Sequence, residues 1–482
     1  MRFNSRAVSL SAIVLGALMV AGCGSSETAA PAAKNVIFFL GDGMGITTLT
    51  AARIYSVGED GQLTIDTLPE TGFVKTHSND AQVTDSAPSM SAYMTGVKPN
   101  NDVISMSADT RAFTLVNGVP TGYVSNALST CPQGNGSRVS TLIELAKAAG
   151  LGTGVVTTAR LTHATPAAAY SHICHRDGEY DIAAQAVPGG AGFNTALGNG
   201  VDVLLGGVSY YWTPLGATSG YPNKGRTDTR NLVNEMKAAG YTFVSDRAGL
   251  LAAPLNTKLL GLFDQAIAQG HMSYELDRNP SVEPSLAEMT TKALDLLQNN
   301  TKGYMLVVEG GRIDHALHAT NAQRALADTV AFDKAIAAAI ARVDLSKTLI
   351  VVTADHDHTL VMNGYAKLTG KTVSGTNAGI LGVLKNFTDG STAKDAENEA
   401  FPILGFGNGE SRPSVRAGLS LTDTVTSGID YHQEAVVPTS PGGETHGGGD
   451  VFIGAIGRGA AAVAGVMDNT AVFSILKAAL GL

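Results

Sequence analysis

Short apolar runs constrain the fold of this chain more than any other feature of its sequence. The run at 35–40 reads NVIFFL, and similar runs occupy 304–308 and 348–353. Such runs are typical of strands that are covered on both faces, as in a parallel sheet. Three further strands are predicted, at 152–158, 201–205 and 451–456. The strand at 451–456 is predicted to be the last strand of the chain.

Segments with helical periodicity lie between these strands, at 137–149, 285–298 and 322–343, and a closing helix is predicted at 470–480. Strands that alternate with helices predict an α/β fold with one large, mostly parallel central sheet and helices on both faces. Segment 360–441, which is rich in Gly, Thr and Asn, breaks this alternation and predicts an inserted subdomain. A shorter irregular stretch covers 100–135.

The N-terminus has the pattern of an export signal. Arg2 and Arg6 precede an apolar stretch, 7–20, that is too short to span a bilayer stably. It runs into VAGC, which resembles a bacterial lipobox, so we expect a lipoprotein signal peptide over 1–22 and a lipid on Cys23. An ordinary secretory signal with an incidental cysteine is the alternative.

A lipid on Cys23 would anchor the exported protein to a membrane through a flexible tether, 23–33. Glycine rather than aspartate follows this cysteine, which is typical of lipoproteins sent to an outer membrane. We therefore expect a periplasmic or cell-surface lipoprotein. The remaining cysteines, Cys131 and Cys174, can pair in an exported chain, and we expect a disulfide rather than two separate thiols.

The charge balance excludes one class of partner. Charged residues make up 16% of the chain and the net charge is −9. Proteins that bind nucleic acid normally present a basic face. Nucleic acid is therefore not an expected partner.

Acidic and histidine residues follow three of the predicted strands and shortly precede a fourth, 451–456. Ligands of such sheets bind beyond the carboxyl ends of the strands, so these side chains should meet at one edge. The residues at these positions are Asp42, Glu309, Asp314, His315, His318, Asp355, His356, His358, Glu444 and His446.

Such a cluster needs cations, because carboxylates a few ångströms apart repel one another and their pKa values rise. Imidazole with carboxylate suits zinc, whereas an oxygen-rich set suits magnesium. Two or three divalent ions would neutralise the cluster, and the ligand types suit two zinc ions and one magnesium ion. The predicted sets are Asp314, His318 and His446 for one zinc, Asp42, Asp355 and His356 for the other, and Glu309 with Asp42 and a hydroxyl for magnesium.

Ser86 lies in the stretch VTDSAPSMSAYMTG, directly after Asp85 and before a predicted helix. The stretch lacks the Gly-x-Ser-x-Gly motif of hydrolases that pair serine with histidine, and no histidine is nearer in sequence than His77. A zinc ion can lower the pKa of bound water from about 16 to about 7. The same polarisation would activate the Ser86 hydroxyl without a histidine base.

These motifs together resemble the alkaline phosphatase family. VTDSA around Ser86 resembles the nucleophile motif of that family, and TADH, ending at His356, resembles one of its metal motifs. The resemblance implies a catalytic domain over 34–482 with a crown-like insertion at about 360–441. It also implies hydrolysis of phosphate monoesters through a phosphoserine on Ser86, and a homodimer is a further expectation.

The resemblance also implies roles for two residues that do not lie next to a predicted strand end. Thr165, in LTHATP, matches the threonine that binds magnesium, and Arg176, in HICHR, matches the arginine that clamps phosphate. His163 and His315 stand where the enteric bacterial enzyme has aspartate and lysine, whereas the animal enzymes have histidine at both positions. We expect these two histidines, with His358 and Asp85, to surround the ligands without binding the metals; the alternative is that the third site takes zinc.

Two other functions stay open at this level. The first is a phosphodiesterase or phosphonate hydrolase, since related two-zinc sites catalyse such reactions. Arg176 favours monoesters, because its forked guanidinium suits a group with several free phosphate oxygens. The second is a lipoprotein that binds zinc or phosphate without turnover, and Ser86 argues against it because binding alone needs no activated nucleophile.

Overall fold

A ten-stranded sheet forms the centre of the molecule in the computed structural model, which describes residues 33–263 and 270–482. The predicted signal peptide, Cys23 and all of the predicted tether except Ala33 lie outside the described residues. In the described part of the chain, no helix has both the length and the apolar character needed to cross a membrane.

Nineteen strands and twelve α-helices occupy the described residues. The strands are β1 Asn35–Gly41, β2 Glu70–Lys75, β3 Phe113–Val116, β4 Val119–Gly122, β5 Val124–Ser125, β6 Leu128–Ser129, β7 Gly152–Arg160, β8 Val203–Gly207, β9 Tyr241–Val244, β10 Lys258–Phe263, β11 Tyr304–Gly310, β12 Thr348–Ala354, β13 Asp357–His358, β14 Leu360–Met362, β15 Leu404–Gly409, β16 Ala435–Pro438, β17 His446–Gly447, β18 Val451–Gly457 and β19 Gly465–Asp468. The helices are α1 Ile46–Val57, α2 Ser86–Thr95, α3 Leu142–Ala149, α4 Ala164–Ala167, α5 Glu179–Gln185, α6 Leu232–Ala238, α7 Arg247–Ala252, α8 Leu286–Leu297, α9 Arg312–His318, α10 Ala322–Arg342, α11 Asp423–Thr426 and α12 Asn469–Leu480.

The strand order of the main sheet is β19-β2-β18-β12-β1-β11-β7-β8-β10-β9. Among these described strands β18 alone runs in the opposite direction, since it is antiparallel to both β12 and β2. The other pairs are parallel. This confirms the predicted α/β fold with a large, mostly parallel sheet.

The predicted strands are buried because their residues are apolar on both faces. Every residue of β11 and of β12 is buried, and so are six of the seven residues of β1. Helices α8 and α10 pack against each other and against β11. The prediction that 451–456 is the last strand was wrong, since the four-residue β19 follows it at an edge of the sheet.

Local capping sets the start of two predicted helices. α3 begins at Leu142 rather than at 137, because Thr141 and Glu144 form a capping box at its N-terminus. A second capping box, between Ser285 and Glu288, starts α8 where the sequence predicted it. Both boxes satisfy backbone N–H groups that a helix leaves without partners in its first turn.

Two irregular segments lie outside the main sheet. Segment 360–441 contains a small sheet of β14, β15 and β16 and otherwise consists mainly of turns. Segment 100–135 contains two hairpins, β3–β4 and β5–β6. Just after the second hairpin, Cys131 forms the predicted disulfide with Cys174, with 6.1 Å between their Cα atoms.

Candidate active site

Three carboxylates lie where adjacent strands of the main sheet end. The register pairs Gly41 of β1 with Ala354 of β12, so the next residues, Asp42 and Asp355, are neighbours. Glu309 lies near the end of β11, on the other side of β1. All three acidic side chains are fully buried. The sheet therefore brings together the acidic residues that were predicted to meet.

The reversed direction of β18 explains how His446 reaches the same edge. His446 precedes β18, and the start of an antiparallel strand lies beside the carboxyl ends of its parallel neighbours. The short β17 then pairs with β13, which places His446 opposite His358. Gly43 has a φ of +66°, and a Cβ on it would lie 2.5 Å from the His358 ring, so this turn requires glycine.

Asp314, His318 and His446 form the first group of possible metal ligands. Asp314 and His318 are four residues apart on α9, so their side chains share one face of the helix. His318 Nε2 lies 3.3 Å and His446 Nε2 lies 3.5 Å from Asp314 Oδ1, and the two nitrogens are 3.2 Å apart. Ligands bound tetrahedrally at about 2.0–2.2 Å stand about 3.3–3.6 Å apart, so these atoms fit zinc.

Asp42, Asp355 and His356 form the second group, and Ser86 lies against it. His356 Nε2 is 3.4 Å from Asp42 Oδ1 and 3.3 Å from Asp355 Oδ2. Ser86 Oγ is 3.1 Å from the same nitrogen and 3.4 Å from Asp42 Oδ1. These separations also suit one zinc ion, to which the Ser86 hydroxyl would offer a fourth ligand atom.

An oxygen-rich group lies on the other side of Asp42. Thr165 Oγ1 is 3.3 Å from Asp42 Oδ2, the oxygen that does not face Ser86. Asp42, Glu309 and His163 each offer a ligand atom within 4.8 Å of the others. Both carboxylate oxygens of Glu309 are buried and have no hydrogen-bond partner among the described residues. A fully buried carboxylate without hydrogen-bond partners is a suitable ligand for a hard cation such as magnesium.

The pKa values of these carboxyl groups show how burial and mutual repulsion disfavour their ionised forms. Burial, and then the charge of Asp314, raises the pKa of Asp42 to about 7. Burial and the charge of Asp42 raise the pKa of Asp355 to about 7 and that of Glu309 well above its usual range. Burial would also raise the pKa of Asp314, but His318, His358 and His446 together hold it well below its usual range.

Arg176 is connected to Ser86 through Asp85, the residue that precedes the serine. Its guanidinium pairs with Asp85, and its Nη2 lies 3.1 Å from His163 Nε2. Asp85 is the N-cap of α2, where its side chain accepts a hydrogen bond of 3.3 Å from Ala87 N. The carboxylate of Asp85 therefore links the arginine to the helix that begins with Ser86.

His358 and His315 lie beside the predicted ligands, and each also belongs to a group of side chains that could hold a metal ion. His358 Nε2 is 2.8 Å from Asp314 Oδ1, and its Nδ1 is 2.5 Å from Glu444 Oε2. Burial would lower the pKa of His358, but Asp314 and Glu444 raise it to about 10. The ring of His315 packs 5.3 Å from that of His163.

Two residues near the site were not predicted from the sequence to have a role. Glu444 is fully buried and holds His358, and its place two residues before His446 in one motif was a usable signal. His271 packs with its ring 3.9 Å from that of His315 and 5.3 Å from that of His163. No local pattern marks His271, because the residues it joins are distant in sequence.

The fold and these groups define an α/β protein with a candidate multi-metal centre around one serine. The family profile described as "Alkaline phosphatase" matches residues 33–482. The chain belongs to the alkaline phosphatase family.

Named relatives and solved structures agree with that assignment. The chain is 36% identical to the alkaline phosphatase tissue-nonspecific isozyme of Gallus gallus, over 91% of this chain and 82% of that protein. It is 36% identical to the alkaline phosphatase of Gadus morhua, over 91% and 89%. The crystal structure of Thermus thermophilus alkaline phosphatase matches with a TM-score of 0.65 and 26% identity, covering 94% of this chain and 92% of that one.

Proposed function

We propose that this protein is a metal-dependent phosphomonoesterase that forms a phosphoserine on Ser86 and releases inorganic phosphate. The observation that carries the proposal is the position of Ser86 Oγ, 3.1 Å from His356 Nε2 and 3.4 Å from Asp42 Oδ1. These two ligand atoms are also 3.4 Å apart, so all three can bind one ion.

The donor atoms support two zinc ions and one magnesium ion. Asp314, His318 and His446 would hold one zinc, and Asp42, Asp355 and His356 would hold the other. Asp42, Thr165 and Glu309 would hold magnesium. Bound dications supply charge that neutralises the buried acids, lowers the pKa of a nearby hydroxyl and stabilises the attacking and leaving oxygens.

The side chains of this protein then divide the reaction between them. Ser86 Oγ, once its proton has passed to solvent, attacks phosphorus, and the bond from phosphorus to the alcohol oxygen breaks as the phosphoserine forms. The leaving oxygen takes a proton from water and departs as the alcohol. Arg176 binds two of the phosphoryl oxygens with its forked guanidinium, which holds phosphorus in line with Ser86. The N-terminal end of α2 offers backbone N–H groups to the same anion. Water next cleaves the phosphoserine and frees phosphate.

The structure raises one alternative role for His356, because its Nε2 lies within hydrogen-bond distance of Ser86 Oγ. A histidine acting as a general base would keep working without metal. Two carboxylate oxygens at 3.3 and 3.4 Å from the same nitrogen instead support a shared cation.

One experiment on a single purified sample tests this function. A chromogenic phosphate monoester and a matched diester are assayed with and without chelator, and the metal content is measured by elemental analysis. We expect monoester turnover that chelation abolishes, and about two zinc ions and one magnesium ion per chain. Diester turnover that exceeds monoester turnover would indicate a phosphodiesterase instead. Full activity without transition metal would refute the proposal.

We also propose that Cys23 carries lipid and anchors the protein to an outer membrane, and that the protein forms a homodimer. The lipobox-like sequence before Cys23 supports the first proposal. Labelling with a fatty-acid analogue, compared between the natural chain and Cys23→Ser, tests the anchor. The molar mass in solution tests the dimer.

A further inference from the structure

The residues that lead to Arg176 are held by the preceding part of the chain. Ile104 and Ile173 form an antiparallel bridge, and Arg176 N donates a hydrogen bond of 2.8 Å to Asp102 O. Asp102 N in turn donates to Asp85 Oδ2 at 2.9 Å. The backbone at Arg176 is therefore tied to the residue that precedes Ser86. We call residues 172–176 the arginine segment.

Two hairpins flank the arginine segment, and we call residues 113–131 the hairpin segment. In the first hairpin, the ring of Phe113 packs edge-on against that of His175, with 5.2 Å between the ring centres. In the second, Ala127 O accepts a hydrogen bond of 3.1 Å from Tyr180 N. Ser129 N donates to Asp181 Oδ2 at 2.6 Å. The hairpin segment thus covers the chain just before and just after Arg176.

The disulfide joins these two segments close to the arginine. Cys131 ends the hairpin segment, and Cys174 lies two residues before Arg176, where it is 1% exposed. Ser129 Oγ lies 2.9 Å from Cys131 Sγ, which orients the turn that leads into the disulfide. A covalent link at this position restrains the backbone from which the Arg176 side chain extends.

We propose that the hairpin segment and the Cys131–Cys174 disulfide position Arg176, and so set the affinity of the site for phosphate. The inference rests on the proposed role of Arg176 as the phosphate clamp. A guanidinium on a loosened segment must be ordered each time phosphate binds, and that cost weakens binding. The serine and its neighbouring acids come from α2 and the main sheet, so loosening the arginine segment should leave them in place. Reduction of the disulfide should therefore weaken phosphate binding more than it slows turnover.

The test compares the unchanged protein with Cys131→Ser/Cys174→Ser, both loaded with metal. The probe is inorganic phosphate, measured as a competitive inhibitor of a chromogenic monoester. We expect the inhibition constant of phosphate and KM to rise about two- to tenfold, the scale for ordering one long side chain. We expect kcat and the metal content to stay within about twofold, because no proposed metal ligand belongs to the hairpin segment or to the arginine segment.

A double-mutant cycle separates positioning from general loosening. In an Arg176→Ala background, loss of the disulfide should raise the phosphate inhibition constant no further. An equal rise in both backgrounds, or no rise in the natural background, would overturn the proposal. If Arg176→Ala by itself leaves the constant unchanged, the proposed clamp fails instead, and the two failures are thus distinguishable.

Two further measurements cover the case in which the double variant does not fold. The unchanged protein is reduced with a phosphine under native conditions, and it should show the same rise in the phosphate inhibition constant. Phe113→Ala, which removes the contact with His175, should raise the constant, whereas the matched variant Leu115→Ala should not, since Leu115 is 71% exposed on the same hairpin. Equal constants for these two variants would exclude a role for the hairpin segment.

Discussion

The two sides of Ser86 are built differently. On the inner side, Asp42 and His356 are fully buried and follow central strands of the main sheet. On the outer side, Asp85 and Arg176 keep 16% of their side-chain surface exposed and belong to loops held by hydrogen bonds and one disulfide. The inner side is acidic and needs cations, whereas the outer side already contains its own cation.

This difference assigns separate tasks to the two sides. Charges buried at strand ends cannot move apart, so on the proposed function they would hold ions rigidly and set the chemistry at the serine. A guanidinium on a loop would contact the incoming anion and select which phosphate esters bind. Changes on the inner side should therefore reduce turnover and stability, and changes on the outer side should mainly reduce affinity.

The largest effect is expected for Ser86→Ala, at the boundary of the two sides. Loss of the attacking oxygen should lower kcat by about 10³-fold or more, because no other nucleophile is positioned for the phosphoserine step. Elemental analysis should show unchanged metal content, since the remaining ligands supply both groups. Retained activity in this variant would refute the assignment of the nucleophile.

Removal of metal should affect the inner side next most strongly. The pKa values of Asp42 and Asp355 are raised to about 7, whereas an unfolded aspartate titrates near about 3.9. Without ions, these two side chains therefore bind more protons in the native protein than in the unfolded chain between these values, and their contribution to the free energy of unfolding falls as pH rises from about 4 to about 7. Burial lowers the pKa values of His163 and His446, which contribute in the opposite direction. We expect the melting temperature of the chelated protein, relative to that of chelated Asp355→Asn, to fall by several degrees from pH 5 to pH 8.

Asp355→Asn is the reference for this prediction, because it removes one of the two titrating acids and keeps the buried histidines, whose contribution is then common to both proteins. Protein reloaded with zinc and magnesium should not lose stability relative to its own value at pH 5, because dications replace the protons. A chelated natural protein whose melting temperature rises relative to that of Asp355→Asn from pH 5 to pH 8 would contradict this electrostatic account.

Arg176→Ala should have a smaller effect, confined to the outer side. Loss of charge-assisted hydrogen bonds should lower kcat/KM for a monoester by about 10- to 100-fold. The loss for a diester should be clearly smaller, since a diester offers one free oxygen fewer. The measurement is kcat/KM for both esters with both proteins. Equal losses would remove the argument that this arginine selects monoesters.

His163→Ala should have the smallest effect on activity, and it should affect both the inner and the outer side of Ser86. Its imidazole contacts Arg176 and also lies with Asp42 and Glu309 in the oxygen-rich group. We expect a loss of about three- to tenfold in kcat/KM, the scale of one lost hydrogen bond. Magnesium should also dissociate more readily during dialysis. A change in phosphate affinity with no change in magnesium retention would place His163 on the outer side alone.

The strands and the ligands at their ends were predictable because each depends on a short stretch of chain. The apolar run before Asp42 marks a buried strand by itself, and the spacing of Asp314 and His318 indicates one helix face whatever lies around it. The motif that contains Ser86 was equally local. The roles of these residues stay predictions until the proposed variants are measured.

The sequence by itself determined the α/β class, the strand ends that carry acids and the serine that faces them. Only the tertiary structure decided that β18 runs in reverse, that His356 lies against Ser86 and that His271 joins His163. It also decided that the hairpin segment packs beside Arg176. Periodicity and capping act over a few residues, whereas strand direction and side-chain neighbours depend on packing between segments that are hundreds of residues apart.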